Sequence, residues 1–181
     1  GMISATSLDI IANATNCIVT ATLVPAALSA LANVNANDYI TLAAFVDTDV
    51  ATVLSALAIV SNADVTMTSA ISAADLDTIA NATTGEVTAT ISDGAVAATL
   101  GAIGNVGTGD TITFTTTDTT ADASDLVALD AKVDTFTTTT VTTITEAAAS
   151  IGTSAATVTD ALALAPNAAV TITDAISAAD L

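Results

Sequence analysis

Short runs in which apolar residues alternate with threonine recur along the chain. Each run opens with a β-branched residue followed by Thr, and most continue the alternation, as in VTMT at 65–68 and ITFT at 112–115. A period of two places apolar side chains on one face and threonines on the other, which is typical of a half-buried strand. The predicted strands begin at Val19, Ile40, Val65, Val87, Ile112, Val141 and Val170.

A second apolar signature precedes each predicted strand: a Leu followed three residues later by Leu or Ile. Such a pair in an Ala-rich segment marks one face of a short helix. The pairs are Leu8/Ile11, Leu28/Leu31, Leu54/Leu57, Leu76/Ile79, Leu100/Ile103 and Leu126/Leu129, with Leu162 alone in the last copy. Helix and strand signatures keep a nearly fixed offset, so each repeat of 21 to 29 residues is predicted to fold as helix, turn and strand.

A repeat of this size cannot bury its apolar face alone, so we expect successive repeats to stack, with the strands in one parallel sheet and the helices in a second layer. The predicted fold is an α/β solenoid of about seven helix–turn–strand repeats, similar in spacing to leucine-rich repeats. The Thr-rich stretch 135–146 is expected to add an extra turn or a short extra strand. The predicted repeats lie near 3–24, 25–47, 48–70, 71–93, 94–118, 119–146 and 147–175, followed by a partial repeat at 176–181.

A longer phrase is repeated as well. Residues 3–24 and 71–92 are identical at 14 of 22 aligned positions, and TDAISAADL at 173–181 restates TSAISAADL at 68–76. This pattern indicates a single array over 1–181 and predicts that the sequence is a fragment of a longer one. Cys17 stands where the second copy has Gly85, so it is interpreted as an incidental small residue rather than a nucleophile.

The charge is strongly negative, with 19 acidic residues against the single cation Lys132, a net charge of −18. Such a surface repels phosphate backbones and anionic lipid, so nucleic-acid binding is not expected. The uncharged stretch 10–37 contains several Asn and Pro25, which favours a soluble repeat over a membrane-inserted segment. Because His and Arg are absent and no phosphate-binding loop or nucleophile elbow occurs, we expect no enzyme and neither catalytic nor cofactor-binding residues.

Acidic residues cluster just after several predicted strands, where each chain segment leads into the next helix. One interpretation is helix N-capping, since carboxylates accept hydrogen bonds from the free N–H groups of a first helical turn. The alternative is a row of hard oxygen ligands for Ca²⁺, which would relieve the repulsion between stacked like charges. The candidate metal ligands are Asp47, Asp49, Asp93, Asp118, Asp122 and Asp125.

The outward threonines of the predicted strands would form two files on a flat sheet. Thr-x-Thr files also occur in some ice-binding solenoids, so ice binding is a remote alternative. The strand propensity of threonine explains the same pattern without a ligand. The irregular spacing of 21 to 29 residues argues against a face matched to an ice lattice.

The alternation of AADLDTIANATTGEVTATISD (73–93) with TDVATVLSALAIVSNADVTMTSA (48–70) resembles the Ala/Thr/Asp-rich repeats of very large secreted surface proteins of cyanobacteria and other aquatic bacteria. That group includes hemolysin-type (RTX-like) calcium-binding proteins and giant cell-surface proteins linked to adhesion or motility. The resemblance implies a secreted or cell-surface protein and a non-enzymatic structural spacer. It implies no other cofactor than Ca²⁺, although the calcium nonapeptide array is absent from this sequence.

The alternative function is a Ca²⁺-stabilised adhesive or ligand-binding module. Under either function, the expected partners are neighbouring repeats of the same large protein and components of the cell surface. A further expected partner is a second copy of this chain, because exposed ends of a repeat array are prone to end-to-end association.

Overall fold

The computed structural model describes residues 19–21, 40–42, 45–47, 49–58, 61–146 and 151–173. The predicted helices at Leu8/Ile11 and Leu28/Leu31, Cys17 and the partial repeat at 176–181 lie outside these ranges. By its contacts the chain divides into two compact units. The first comprises Gly1–Thr90 with Asn105–Thr111, and the second comprises Ile91–Gly104 with Ile112–Leu181.

Helices and short strands follow one another along the described chain. The helices are α1 (Val50–Leu57), α2 (Ala73–Ala82), α3 (Val96–Ala102), α4 (Ala123–Asp130) and α5 (Ile151–Leu164). The strands of the first half are β1 (Val19–Ala21), β2 (Ile40–Leu42), β3 (Phe45–Asp47), β4 (Val65–Met67) and β5 (Val87–Thr90). Those of the second half are β6 (Thr111–Thr115), β7 (Thr120–Asp122), β8 (Thr135–Thr137), β9 (Thr143–Glu146) and β10 (Ala169–Ile172).

Parallel pairing of strands one repeat apart organises the first compact unit. β1 pairs with β2, with Val19 opposite Ile40. β4 lies between β3 and β5, so that Val65 is opposite Phe45 on one side and Val87 on the other. Helix α1 packs against α2. Each pairing joins residues 20 to 22 positions apart, which is close to the shortest spacings of the sequence repeat.

The second compact unit is built on the same principle. β6 pairs in parallel with β8, which places Phe114 opposite Phe136 with their rings stacked 5.7 Å apart. β9 lies between β7 and β10 in a separate parallel sheet. Helix α4 packs against both α3 and α5.

The predicted α/β class with parallel strands is confirmed. The expectation of one continuous parallel sheet is wrong, because the described strands fall into three sheets. The physical reason is a second strand late in some repeats. β7 follows β6, and β9 follows β8, so these extra strands stack on each other as a sheet of their own.

Six of the seven predicted strand starts lie within strands, whereas Val141 lies two residues before the start of β9. The stretch 135–146 holds two strands, β8 and β9, so it contains the extra strand that was one of the two expectations. β3 and β7 carry no apolar–Thr alternation of the predicted kind, and the pattern did not indicate them.

The helices bury the face that their apolar spacing predicts. Leu76 and Ile79 of α2, like Leu126 and Leu129 of α4, are fully buried. In α3 the prediction is half right: Ile103 is buried, but Leu100 is only half-buried. Val96 and Thr99 line the buried face of α3 instead, two turns and one turn before Ile103 respectively.

Candidate functional site: polar bridges between repeats

Asp49 caps the first turn of α1. The N–H of Ala51 donates to Asp49 Oδ1 at 3.0 Å, and the hydroxyl of Thr52 donates to Asp49 Oδ2 at 2.9 Å. The Thr52 hydroxyl, followed by the Ala51 N–H, lowers the pKa of Asp49 below its ordinary value. The capping interpretation therefore accounts for this residue, as helix N-caps commonly do.

Asp118 caps a helix that lies one repeat earlier in the chain. Its Oδ2 accepts a hydrogen bond of 2.7 Å from the N–H of Val96, the first residue of α3, which is 22 positions away in sequence. Its own N–H donates to the hydroxyl of Thr116 at 3.0 Å. Capping across repeats was not predicted, and it makes this carboxylate a bridge rather than a local cap.

Asp122 and Asp125 meet at the start of α4. Asp122 is the N-cap and accepts a hydrogen bond of 2.9 Å from the N–H of Ser124, while Asp125 lies in the first helical turn. Burial, and secondly the charge of Asp122, raise the pKa of Asp125. These are the only two of the six candidate ligands that the described part of the chain brings to one helical turn.

The other candidates are more scattered. Asp93 is exposed in the bend between β5 and α3, and Asp47 is the last residue of β3. Within the ranges that the structure describes, no group of three or more Asp, Glu, Cys or His side chains could hold a metal ion. Calcium binding by the six residues thus stays a prediction.

Three further carboxylates, which the sequence prediction missed, also reach across repeats. They stand at the starts of strands and accept backbone N–H groups from the neighbouring repeat. Asp64 Oδ1 accepts from Glu86 N at 2.9 Å, and Asp110 Oδ1 accepts from Val87 N at 2.9 Å. In the second compact unit, Asp134 Oδ2 accepts from Ile112 N at 2.8 Å. We call Asp64, Asp110 and Asp134 the strand-start acids.

A sequence signal for the strand-start acids exists. An acidic residue stands one or two positions ahead of the strand signature at Asp38, Asp64, Glu86 and Asp110. These acids precede the strands, whereas the predicted candidate ligands follow them. Because a carboxylate acceptor strengthens a hydrogen bond, each such bridge is worth more than a neutral one, which contributes about 1 kcal/mol.

Threonine hydroxyls form a second set of bridges, which donate to backbone carbonyls one repeat away. Thr83 donates to the carbonyl of Ala63 at 2.6 Å in the first compact unit. In the second, the donors are Thr116 to Gly94, Thr140 to Thr116, Thr142 to Thr119, Thr145 to Ala121 and Thr173 to Glu146, at 2.8 to 3.3 Å. Threonine is therefore more than a water-tolerant strand residue in this chain.

Other threonines do face outward, as the alternation predicts. Thr88 and Thr90 are exposed on β5, and Thr66 of β4 stands opposite Thr88. In the second compact unit Thr113 stands opposite Thr135. Short files of threonine therefore exist within each unit, and ice binding by them stays a prediction.

Gly85 marks a close approach of two repeats. A Cβ atom on this residue would lie 2.5 Å from the carbonyl oxygen of Ala63 and 2.7 Å from the N–H nitrogen of Asp64. No side chain fits that space, since the atoms it would meet belong to the backbone. The same Ala63 carbonyl accepts the Thr83 hydroxyl, so the glycine and the threonine bridge act at one place.

One strand-start acid, Asp110, lines a shallow depression of about 240 Å³ together with Thr84, Gly85, Glu86 and Asn105. Both carboxylate oxygens of Asp110 accept hydrogen bonds there: Oδ1 from the Val87 N–H, and Oδ2 from the Gly107 N–H at 2.8 Å. The chemistry available here is hydrogen-bond acceptance that joins segments of the chain.

Helices long and apolar enough to cross a bilayer do not occur in the described segments. No family model, no curated protein and no solved structure matches this sequence.

Proposed function

We propose that this chain is a non-enzymatic structural module: a solenoid of about seven helix–turn–strand repeats that serves as a spacer in an extracellular bacterial surface protein. The observation that carries the proposal is the set of strand-start acids, whose carboxylates accept backbone N–H groups 22 to 23 residues away. A spacer needs repeats that are tied to their neighbours, and these bridges have that effect.

The threonine bridges and the close approach at Gly85 support the same function. The recurring polar side chains of the repeats hold successive chain segments together, and the surrounding acidic surface keeps an array soluble by self-repulsion. The extracellular setting is the part of the proposal that rests on the resemblance of the Ala/Thr/Asp-rich repeats to those of secreted surface proteins.

Small-angle X-ray scattering on the chain and on a covalent head-to-tail duplicate tests the spacer function. Since stacked strands are about 4.8 Å apart, seven further repeats should lengthen the maximum dimension by about 34 Å. A compact arrangement would instead raise the radius of gyration only about 1.3-fold on doubling the chain. That second result would contradict the proposal.

The second candidate is a Ca²⁺-stabilised adhesive module, and the pairing of Asp122 with Asp125 at the start of α4 favours it. Burial first, and the charge of Asp122 second, raise the pKa of Asp125, and a bound cation would relieve the repulsion between the two carboxylates. Thermal unfolding in EDTA, Mg²⁺ or Ca²⁺ at fixed ionic strength distinguishes the two functions. A Ca²⁺-specific rise that Asp125→Asn abolishes would put the adhesive module first.

A further inference from the structure

Strand β10 lies at one side of its sheet. Among the described residues it pairs with β9 alone and is the outermost strand of its sheet. The N–H of Ala169 donates to Thr142 O and the N–H of Thr173 donates to Glu146 O, both at 2.9 Å. Because successive peptide groups of a strand point to opposite edges, the N–H groups of Val170 and Ile172 point away from β9.

The side-chain exposure of β10 agrees with its position at the side of the sheet. Val65, in β4 between two strands, is 1% exposed, whereas Val170 is 40% exposed. Val170 opens the phrase VTIT, and Val65 opens VTMT, so the sequence pattern of the two strands is the same. The apolar residue that is buried in β4 by neighbouring repeats thus remains uncovered in β10.

The edge also lacks the charges that usually protect one. No charged residue occurs from Ala161 to Thr173, and Ala168 occupies the place that Asp64 and Glu86 hold directly ahead of their strands. Edge strands that carry charges or Pro resist pairing with other chains, whereas an uncharged edge strand pairs with them more readily. In a chain of net charge −18, such a stretch is where a second copy approaches at least electrostatic cost.

We propose that the outer edge of β10 is a docking site for the β1 edge of a second copy of this chain, joined as a parallel strand. Each strand pairing given above is parallel and joins two strands of this chain, so the surface that fits β10 is another strand of this chain. β1 is a suitable partner because, in the described ranges, it pairs only with β2. The contact is heterologous, so each copy keeps a free β10 or β1 edge after a dimer forms and association can continue beyond it.

This inference rests on the proposed spacer function and assigns the surface by which spacers would join. The spacer function and the docking site can be contradicted separately, because scattering from the covalent duplicate reports extension whether or not free copies associate.

Sedimentation of the full chain over a wide concentration range tests the docking site. The buffer contains about 0.5 M salt, so that repulsion between acidic copies is screened. We expect a concentration-dependent series of species that extends beyond the dimer. A chain that stays monomeric, or one that stops at a closed dimer, would overturn the proposal.

Two substitutions at one position locate the contact. Val170→Pro removes the outward N–H without touching the ladder to β9, and it should raise the dissociation constant about tenfold or more. Val170→Thr keeps that N–H and should associate within about threefold of the parent chain. Far-UV circular dichroism and the melting temperature check that both variants fold. Unchanged association of a folded Val170→Pro chain would also overturn the proposal.

Discussion

The repeat that ends in β5 and the repeat that ends in β10 carry nearly the same strand, VTAT at 87–90 and VTIT at 170–173. Their environments differ. Val87 is fully buried and its N–H donates to Asp110, whereas Val170 is 40% exposed and its N–H points away from β9. The strand phrase therefore predicts a strand, but burial and pairing come from the neighbouring repeat and its acid.

The largest expected loss of stability comes from a substitution at Gly85, where two chain segments approach closely ahead of β5. Gly85→Ala places a Cβ against the Ala63 carbonyl, so we expect a loss of about 2–3 kcal/mol in the free energy of unfolding. Gly101→Ala in α3 is the matched control, because a Cβ there meets no atom within 4 Å. It should stabilise the chain by about 0.5–1 kcal/mol. Urea unfolding followed by circular dichroism measures both, and equal effects would refute the close approach.

Truncating the two valines tests the comparison directly. Val87→Ala should cost about 2 kcal/mol, because it removes buried methyl groups and leaves a cavity. Val170→Ala should change the free energy of unfolding by less than about 0.5 kcal/mol. Thermal unfolding of dilute samples, which keeps copies apart, gives both values. A large loss for Val170→Ala would mean that β10 is covered in solution.

Removing Asp110 tests how much the acid of the neighbouring repeat stabilises β5. Asp110→Ala leaves the N–H groups of Val87 and Gly107 without their acceptor, so we expect a loss of about 1–2 kcal/mol. Asp93→Ala removes an exposed acid of the neighbouring bend and should stay within about 0.5 kcal/mol. Chemical unfolding of this pair separates a bridge from general charge reduction, and matching losses would argue for the latter.

The smallest expected effects on stability come from Asp49 and Asp125, which lie at the N-termini of α1 and α4. The pKa of Asp49 is lowered from 3.8, so its stabilising contribution is present above 3.8 and is lost as the pH falls through the lowered value. The pKa of Asp125 is raised, so its ionised form opposes folding at neutral pH, and that cost disappears as the pH falls below 3.8.

At pH 7, therefore, Asp49→Asn should lower the melting temperature and Asp125→Asn should raise it. Both differences should shrink as melting curves are repeated toward pH 3. Shifts of the same sign at pH 7 would contradict the assigned causes.

Much of the fold was predictable because its signals are local. Leu76/Ile79 and Leu126/Leu129 fix the buried helix faces, and the apolar–Thr alternation fixes β4, β5 and β6. β3 and β7 were not predictable in this way. These strands of three residues are too short for an alternation to be distinctive, and pairing with strands one repeat away defines them.

The bridges were harder to predict than the elements. Asp49 and Asp122 cap their own helices, which a local pattern indicates. Asp118 reaches Val96, and Asp110 reaches Val87, only because stacking brings together residues more than twenty positions apart. The acids ahead of β4, β5, β6 and β8 were visible in the sequence, but their partners depend on the register of the stack. Likewise, the strand phrase itself does not distinguish Val170 from Val87, and the local difference is the acid Glu86 ahead of Val87.

The central claim is that acidic side chains tie successive repeats together, and amide hydrogen exchange tests it most directly. In one dilute sample, the account predicts strong protection of the Val87 N–H and rapid exchange of the Val170 N–H. Asp110→Ala should lower the protection of Val87 and leave Val170 unchanged. Equal protection of the two amides in the parent chain, or a Val87 amide indifferent to the loss of Asp110, would contradict the account.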